Sequence, residues 1–381
     1  MAKRALGSLR GLYRIVLLLG IFVIFSLLIV GVSAPEATAP VPNASHTIFI
    51  RDIPQCANSS TTGINYGSWD AALRTCTLTA DINEEVEIAV NDTTLDCAGH
   101  SITGYYIGIL LSSKTNVTVK NCNVQALGYG ISLLNSDYNV IQNNEISLTW
   151  YSGISIKSSN LNNLLFNTIN NVTNYGIEIT YSNFTKLVSN TVNNNRYGTD
   201  NGYGTVITLS YYTFLNNNTF DNNVYGLSVD SSGSTTMTSN KITNSSKLNL
   251  IINSNTPSGF FHDIDTSNTI NGKPIYYLVN QKNMQIPADA GYVAAINSTN
   301  ITVKDLTLAN NGPGVLFALT ENSKIENVTT ISSSDSGIFL FSSNRNILIN
   351  NKASKSYYAA SGSHQFSSLG IALISSSFNT L

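Results

Sequence analysis

A glycine followed by Ile or Leu returns at Gly108, Gly130, Gly153, Gly176 and Gly226, with Gly204-Thr205 between the last two. The steps are 22, 23, 23, 28 and 22 residues. The series resumes at Gly291, Gly314, Gly337 and Gly370, with steps of 23, 23 and 33. A second mark is locked to the first. Asn144, Asn167, Asn190, Asn218 and Asn240 each stand 14 residues after such a glycine, Asn121 stands 13 after Gly108, and Asp305 takes the place 14 after Gly291. In the regular coils the next Gly follows the Asn by 9 residues, so the step of 28 is a five-residue insertion between Asn190 and Gly204. The step of 33 places a second insertion between Asn351 and Gly370.

Between the marks, short runs alternate apolar and polar or small residues: Ile131-Ser132-Leu133, Ile154-Ser155-Ile156, Ile177-Glu178-Ile179 and Leu227-Ser228-Val229. Runs this short, broken by Asn, Gly and Ser, have the period of strands and not of helices. A leucine-rich repeat shares the overall period but needs a Leu-rich consensus, which is missing. The pattern predicts an all-β chain, a right-handed parallel β-helix with one coil per period. Equivalent residues then lie ~4.8 Å apart along the axis. Asn121, Asn144, Asn167, Asn190, Asn218 and Asn240 are expected to form a ladder whose amides bond along the axis and pin a turn. Ile131, Ile154 and Ile177 form the matching internal stack.

The first 34 residues read as a targeting segment. Lys3, Arg4, Arg10 and Arg14 precede an apolar run from Ile15 to Val32. Positive charge stays inside, so the chain beyond the apolar run is outside. The run is long enough to span a membrane as a helix, while Val32-Ser33-Ala34 resembles a cleavage site; an anchor and a cleaved signal peptide are both open. Residues 35–45 read as a linker, 46–93 as an N-terminal cap, 94–254 as the first half of the β-helix, 255–290 as an interruption and 291–381 as the second half. Ser376 to Leu381 fall in register with Ser343 to Leu348, so the chain is expected to continue in a longer protein. Eleven Asn-x-Ser/Thr sequons, Asn171, Asn183 and Asn217 among them, fit export and make glycoprotein status an expectation. With 11% charged residues and a net charge of −2, there is no basic field for nucleic acid.

Asn followed nine residues on by Gly-Ile-x-Leu or Gly-Ile-x-Ile resembles the repeats of NosD-like proteins and of carbohydrate-binding and sugar-hydrolase β-helices. The stretch Asp265 to Tyr277 is similar to a linking segment of NosD-like archaeal surface proteins. The resemblance covers about Thr94 to Leu381. It implies a pectin-lyase-like fold, and three lines of activity: carbohydrate binding, sugar hydrolysis or lysis, and a periplasmic copper-site accessory role.

The residues bear on these unequally. Cys97 and Cys122 have the same offset, 25, as Asn91 and Asn116, which puts them on neighbouring coils. A disulfide there, with Cys56–Cys76 in the cap, is one reading in an exported chain; a buried pair of thiols at 97 and 122 is the other. No metal ligand set and no cofactor are expected: His46, His100, His262 and His364 are scattered, and Phe261 to Asp265 offers only one His beside two carboxylates. Glycoside hydrolysis needs two carboxylates facing one cleft; Glu178 stands alone between Ile177 and Ile179, and no catalytic residue is assigned. Tyr129, Tyr175, Tyr203 and Tyr225 immediately precede repeat glycines, and Tyr151 lies one residue further back. They form a candidate stripe for stacking on a polysaccharide or cell-envelope glycan, or else a purely structural stack. The insertions, carrying Arg196, Tyr197 and Asp200 in one and Lys352, Lys355, Tyr357, Tyr358 and His364 in the other, are expected to bracket such a ligand. The sequence thus points to an exported, membrane-anchored or secreted surface protein that binds carbohydrate or builds the envelope, with a carbohydrate-active enzyme as the alternative.

Overall fold

The computed structural model describes residues 47–53, 55–59, 62–195, 202–333, 336–354 and 369–381. The targeting segment, the linker and most of both insertions lie outside these residues. Every described element is a strand, apart from one 3-10 turn at Pro257–Phe260. No helix among the described residues is long and apolar enough to cross a membrane.

In the first half, each full coil contributes one strand to each of three parallel sheets. Sheet A carries the glycine-marked strands, with Ile107–Ser112, Tyr129–Leu134, Ser152–Lys157, Tyr175–Thr180, Tyr203–Thr208 and Tyr225–Asp230 side by side in chain order. Sheet B includes Thr118–Lys120, Val140–Gln142, Asn163–Leu165 and Lys186–Val188, and sheet C includes Asn123–Ala126, Glu145–Ser147, Thr168–Asn170 and Thr191–Asn193. Each residue pairs with its equivalent one coil on: Ile131 with Ile154, Ile154 with Ile177, Ile141 with Leu164, and Ile146 with Ile169. Side chains alternate across a strand, so these residues all point inward, and all are fully buried.

The recurring glycine has a steric cause. A Cβ on Gly130 would stand 2.5 Å from the Gly153 carbonyl oxygen, and one on Gly153 would stand 2.7 Å from that of Gly176. Successive coils approach too closely at this point for any side chain.

Residues 47–93 do not form a separate cap. Thr47–Ile50 pairs in parallel with Glu85–Ile88 in sheet A, and Thr75–Leu78 pairs in parallel with Thr94–Asp96 in sheet B. Ile48, Ile50, Val86 and Ile88 alternate inward and join the same core as the later coils. What is special at this end is a pair of antiparallel hairpins, Thr47–Ile50 with Ala57–Ser59 and Gly67–Asp70 with Thr75–Leu78, which finish the edges of sheets A and B.

The second half departs from a simple continuation. Asn271 and Gly272, with φ of +49° and +81°, join the antiparallel strands Thr269–Ile270 and Lys273–Val279. A two-residue turn with both φ positive is the type I′ hairpin that Asn-Gly favours. It reverses the chain at the edge of sheet C. The next glycine-marked strands, Tyr292–Ile296, Val315–Ala318, Ser336–Phe341 and Leu369–Ile374, therefore extend sheet C and not sheet A. The glycine series runs through the chain, but the face it occupies changes. Tyr292–Ile296 is buried on both sides. Tyr292, Ala294 and Ile296 join the core of the first half, while Val293 and Ala295 line a second core with Ile301, Val303 and Ile325.

Candidate functional site

The asparagine ladder is present from Asn144 onward. Asn144 donates its backbone N–H (3.1 Å) and its Nδ2–H (3.0 Å) to Asn167 Oδ1. Asn167 donates to Asn190 in the same way, Asn190 to Asn218, and Asn218 to Asn240. Each Nδ2 also donates to a carbonyl of the coil before, as Asn167 does to Ile141 at 2.7 Å. Asn121 is not a rung. Its 13-residue offset puts it one place early, at an outer corner with φ of +56°, where its Nδ2 donates to Asp96. Cys122 holds the ladder place and donates its N–H to Asn144 Oδ1. The far end has a rung that the glycine spacing did not reveal, Asn268, which accepts from Asn240. A second ladder, of Ser136, Ser159, Ser182, Ser210 and Ser232, carries no signal in the glycine spacing either; each N–H donates to the next hydroxyl at 2.9–3.0 Å.

Cys97 and Cys122 are disulfide-bonded across neighbouring coils with Cα atoms 4.8 Å apart, and Cys56 is bonded to Cys76 with 5.7 Å. Bonded cystines suit an oxidising compartment.

The five tyrosines divide into two groups, because Ser152 takes the place between Tyr129 and Tyr175 in sheet A. In one group Tyr203 and Tyr225 stack at 4.4 Å, with Tyr175 tilted against Tyr203 at 5.5 Å. Tyr203 and Tyr225 are only 5% and 4% exposed, packed on the outer face of sheet A with Val206, Val224, Leu248 and Ile251. Their ring faces are spent on one another, so neither is a platform for a ligand. In the other group Tyr129 and Tyr151 stack at 5.5 Å, and Tyr106 meets both edge-on at 5.9 and 6.1 Å. Tyr151 is 45% exposed.

This second group is part of a wider aromatic shelf at the corner between sheets C and A. Tyr105 is 80% exposed and Trp150 59% exposed, and no ring stacks on either among the described residues. Their offset from the strands hid them: both lie in turns ahead of a repeat glycine, outside the alternating pattern, and only the scarcity of Trp, two in 381 residues, marks Trp150. Beside the shelf, the outer face of sheet A is polar. Glu178 is held by Lys157 Nζ at 3.1 Å and by the hydroxyls of Ser152 and Ser155 at 2.8 and 3.2 Å. Lys157 also stands 5.6 Å from the ring of Tyr129. Burial, and then the nearby Glu178 carboxylate, pushes the Tyr129 hydroxyl up to about 12 and raises that of Tyr175.

The neighbours of Glu178 in register are Ser155 and Val206, so adjacent coils set no second carboxylate beside it. No cluster of three metal-ligating side chains occurs among the described residues. His100 bonds Asp81 at 3.2 Å, His262 is buried in the interruption, and His46 and His364 lie outside the described residues. Arg196, Tyr197, Asp200, Lys355, Tyr357 and Tyr358 also lie outside them, whereas Lys352 is exposed at the start of a strand. A separate open groove of about 380 Å³ lies at the corner between sheets B and C, lined by Asn121, Asn123, Asn143, Glu145, Phe166 and Thr168.

Residues 62–210 match the family model described as right handed beta helix region, which gives the solenoid its hand. No curated protein sequence matches the chain. Among solved structures, the chain is similar to the A-module of the mannuronan C-5 epimerase of Azotobacter vinelandii, at 14% identity and a TM-score of 0.35 over 78% of each chain. The surface adhesin PfbA of Streptococcus pneumoniae aligns at 10% identity and a TM-score of 0.36, over 75% of this chain and 81% of that one. The enzymatically active domain of tailspike protein 2 of bacteriophage CBA120 aligns at 10% and 0.34, over 73% of this chain and 39% of its own.

Proposed function

We propose that this chain is an exported surface β-helix that binds an extended carbohydrate without cleaving it, at the shelf of Tyr105, Trp150 and Tyr151. The observation that carries this reading is the exposure of Trp150 and Tyr105, on whose faces no other described ring stacks. Flat aromatic faces match the apolar faces of sugar rings, and Tyr and Trp also bring a hydrogen-bonding edge. Lys157 and the partly exposed Glu178 supply the polar partners that fix a hydroxylated ligand, while the buried Ser152 and Ser155 hold Glu178 in place. The shelf carries no large field, so the ligand is neutral or weakly acidic. A tyrosine acting as a base would need its hydroxyl lowered toward neutrality; burial drives Tyr129 and Tyr175 the other way. The two disulfides support an extracytoplasmic location.

The test is a glycan array probed with the full chain, followed by titration of the best polysaccharide and product analysis after incubation. The double variant Tyr105→Ala/Trp150→Ala should bind at least tenfold more weakly, because exposed aromatic anchors dominate such contacts, with an unchanged melting temperature. Equal affinity in both proteins would refute the shelf, and released oligosaccharide would replace the binding reading with the enzymatic one.

A further inference from the structure

A different surface carries a second inference. The corner between sheets A and B contains a turn position at which six successive coils take a left-handed backbone. Along the first half this position reads Asn116, Tyr138, Leu161, Phe184, Tyr212 and Ser234, with φ between +54° and +60°. Three residues earlier in each turn stand Ser113, Asn135, Ser158, Tyr181, Leu209 and Ser231, again left-handed. Asn and Ser are ordinary occupants of such a backbone, whereas bulky residues are disfavoured there. Yet on four successive coils the outer place holds Tyr, Leu, Phe and Tyr.

These side chains gain little from the fold in return. Tyr138, Phe184 and Tyr212 leave about half of their surface exposed, as do Tyr181 and, to a lesser degree, Leu161 and Leu209. Phe184 and Tyr212 lie parallel at 4.8 Å, so their ring faces meet each other and their edges face outward, in a ridge with Tyr138 and Leu161 at the same place on the two preceding coils. The sugar-stacking geometry of the shelf is therefore absent here. A run of bulky residues on successive coils, each conformationally disfavoured and exposed, calls for a partner, where a single such residue does not.

We infer that the ridge is the interface at which two copies of this chain associate side by side and antiparallel. The order of residues carries the argument. Tyr138, Leu161, Phe184 and Tyr212 read hydroxyl, apolar, apolar, hydroxyl from either end. A twofold axis between Leu161 and Phe184 sets Tyr138 against Tyr212 of the other copy and Leu161 against Phe184, the self-complementary pairing that an isologous dimer requires. A second copy also repeats its side chains at the same coil spacing, so contacts stay in step along the ridge. The area is sufficient. At about 200 Å² per aromatic side chain, half of it exposed, the four aromatics of the ridge offer about 400 Å² per copy and its two leucines about 100 Å² more, so about 1,000 Å² in total, at the threshold of a specific interface.

Sedimentation equilibrium of the full chain at micromolar concentration should give the mass of a dimer. The double variant Leu161→Asn/Phe184→Asn places at both sites the residue that Asn116 already provides, so the fold should melt at the same temperature or higher while the protein becomes monomeric. Chains carrying Tyr138→Cys mixed with chains carrying Tyr212→Cys should form a disulfide-linked mixed dimer, and Tyr138→Cys alone should not link to itself. Asn183, a sequon on the ridge, should be free of glycan in protein from its own host. Monomeric wild-type protein, a double variant that still dimerises, self-linked Tyr138→Cys chains, or a glycan on Asn183 would each overturn the inference.

Discussion

Tyr129 and Tyr225 hold the same place in their coils, four coils apart in sheet A, and live in different surroundings. Tyr129 belongs to a shelf whose outer members, Tyr151, Trp150 and Tyr105, face water. Tyr225 is sealed under an apolar cluster with Tyr203 stacked on it. The coil register fixes the direction in which a side chain leaves the sheet. What the neighbouring coils place around it decides whether it meets solvent, and hence whether it serves packing or recognition. The comparison predicts unequal costs. Tyr225→Ala should destabilise the protein by about 3–5 kcal/mol, the range for removing a buried ring, and leave carbohydrate binding unchanged. Tyr151→Ala should cost about 1 kcal/mol or less and weaken binding. Denaturant unfolding of both variants decides it; equal losses of stability would abolish the distinction between the two groups.

The buried end of the first half should respond to acid. His262 is fully enclosed, accepts the Thr235 N–H at Nδ1 (3.3 Å), and is held neutral, with burial lowering it to about 4 from an ordinary 6.5. An unfolded chain takes up the proton near pH 6.5 and the folded one does not. Stability is therefore full above pH 6.5 and is lost as pH falls from there toward 4, by about 3 kcal/mol for a shift of this size. His262→Asn supplies an amide oxygen as acceptor, as Asn139 and Asn162 do at the same corner, and should flatten this part of the pH profile. Melting temperatures measured from pH 7.5 to 4 in both proteins test it; parallel profiles would show that another group titrates.

The ladder offers a contrast of intermediate size. Asn167→Ala removes the acceptor of two buried Asn144 donors and should cost about 2 kcal/mol, the penalty of leaving such groups unpaired. Asn121→Gly, which keeps the left-handed corner and loses one outer bond to Asp96, should cost less than about 0.5 kcal/mol. A loss at Asn121 as large as that at Asn167 would return it to the ladder.

The coil period, the inward Ile stacks and the run of rungs from Asn144 to Asn240 are legible in the sequence because each is repeated, and repetition turns weak local preferences into a register. The departures are single events. A hairpin at Asn271-Gly272 moves the glycine series onto sheet C, and one residue of offset moves Asn121 to the surface. Trp150 and Tyr105 escape a reading by spacing because turn residues obey no alternation. The burial of Tyr203 and Tyr225 depends on Leu248 and Ile251, residues of other coils whose contact with them no spacing rule expresses.

The smallest effect tests the same separation of register from surroundings at one residue. The corner between sheets B and C reads Asn121, Asn143, Phe166, Ser189, Asn217 and Ser239, all left-handed, with Phe166 at φ of +55°. Register imposes this backbone whatever the residue is, and a Phe carries the cost of a Cβ that an Asn offsets with local hydrogen bonds. Phe166 is largely exposed at the edge of the polar groove, so little packing compensates. Phe166→Asn should therefore stabilise the protein by about 0.5–1 kcal/mol, visible as a higher denaturant midpoint with an unchanged slope. A lower midpoint would mean that packing along the groove offsets the strain of the ring's place, and that surroundings outweigh register even at an exposed corner.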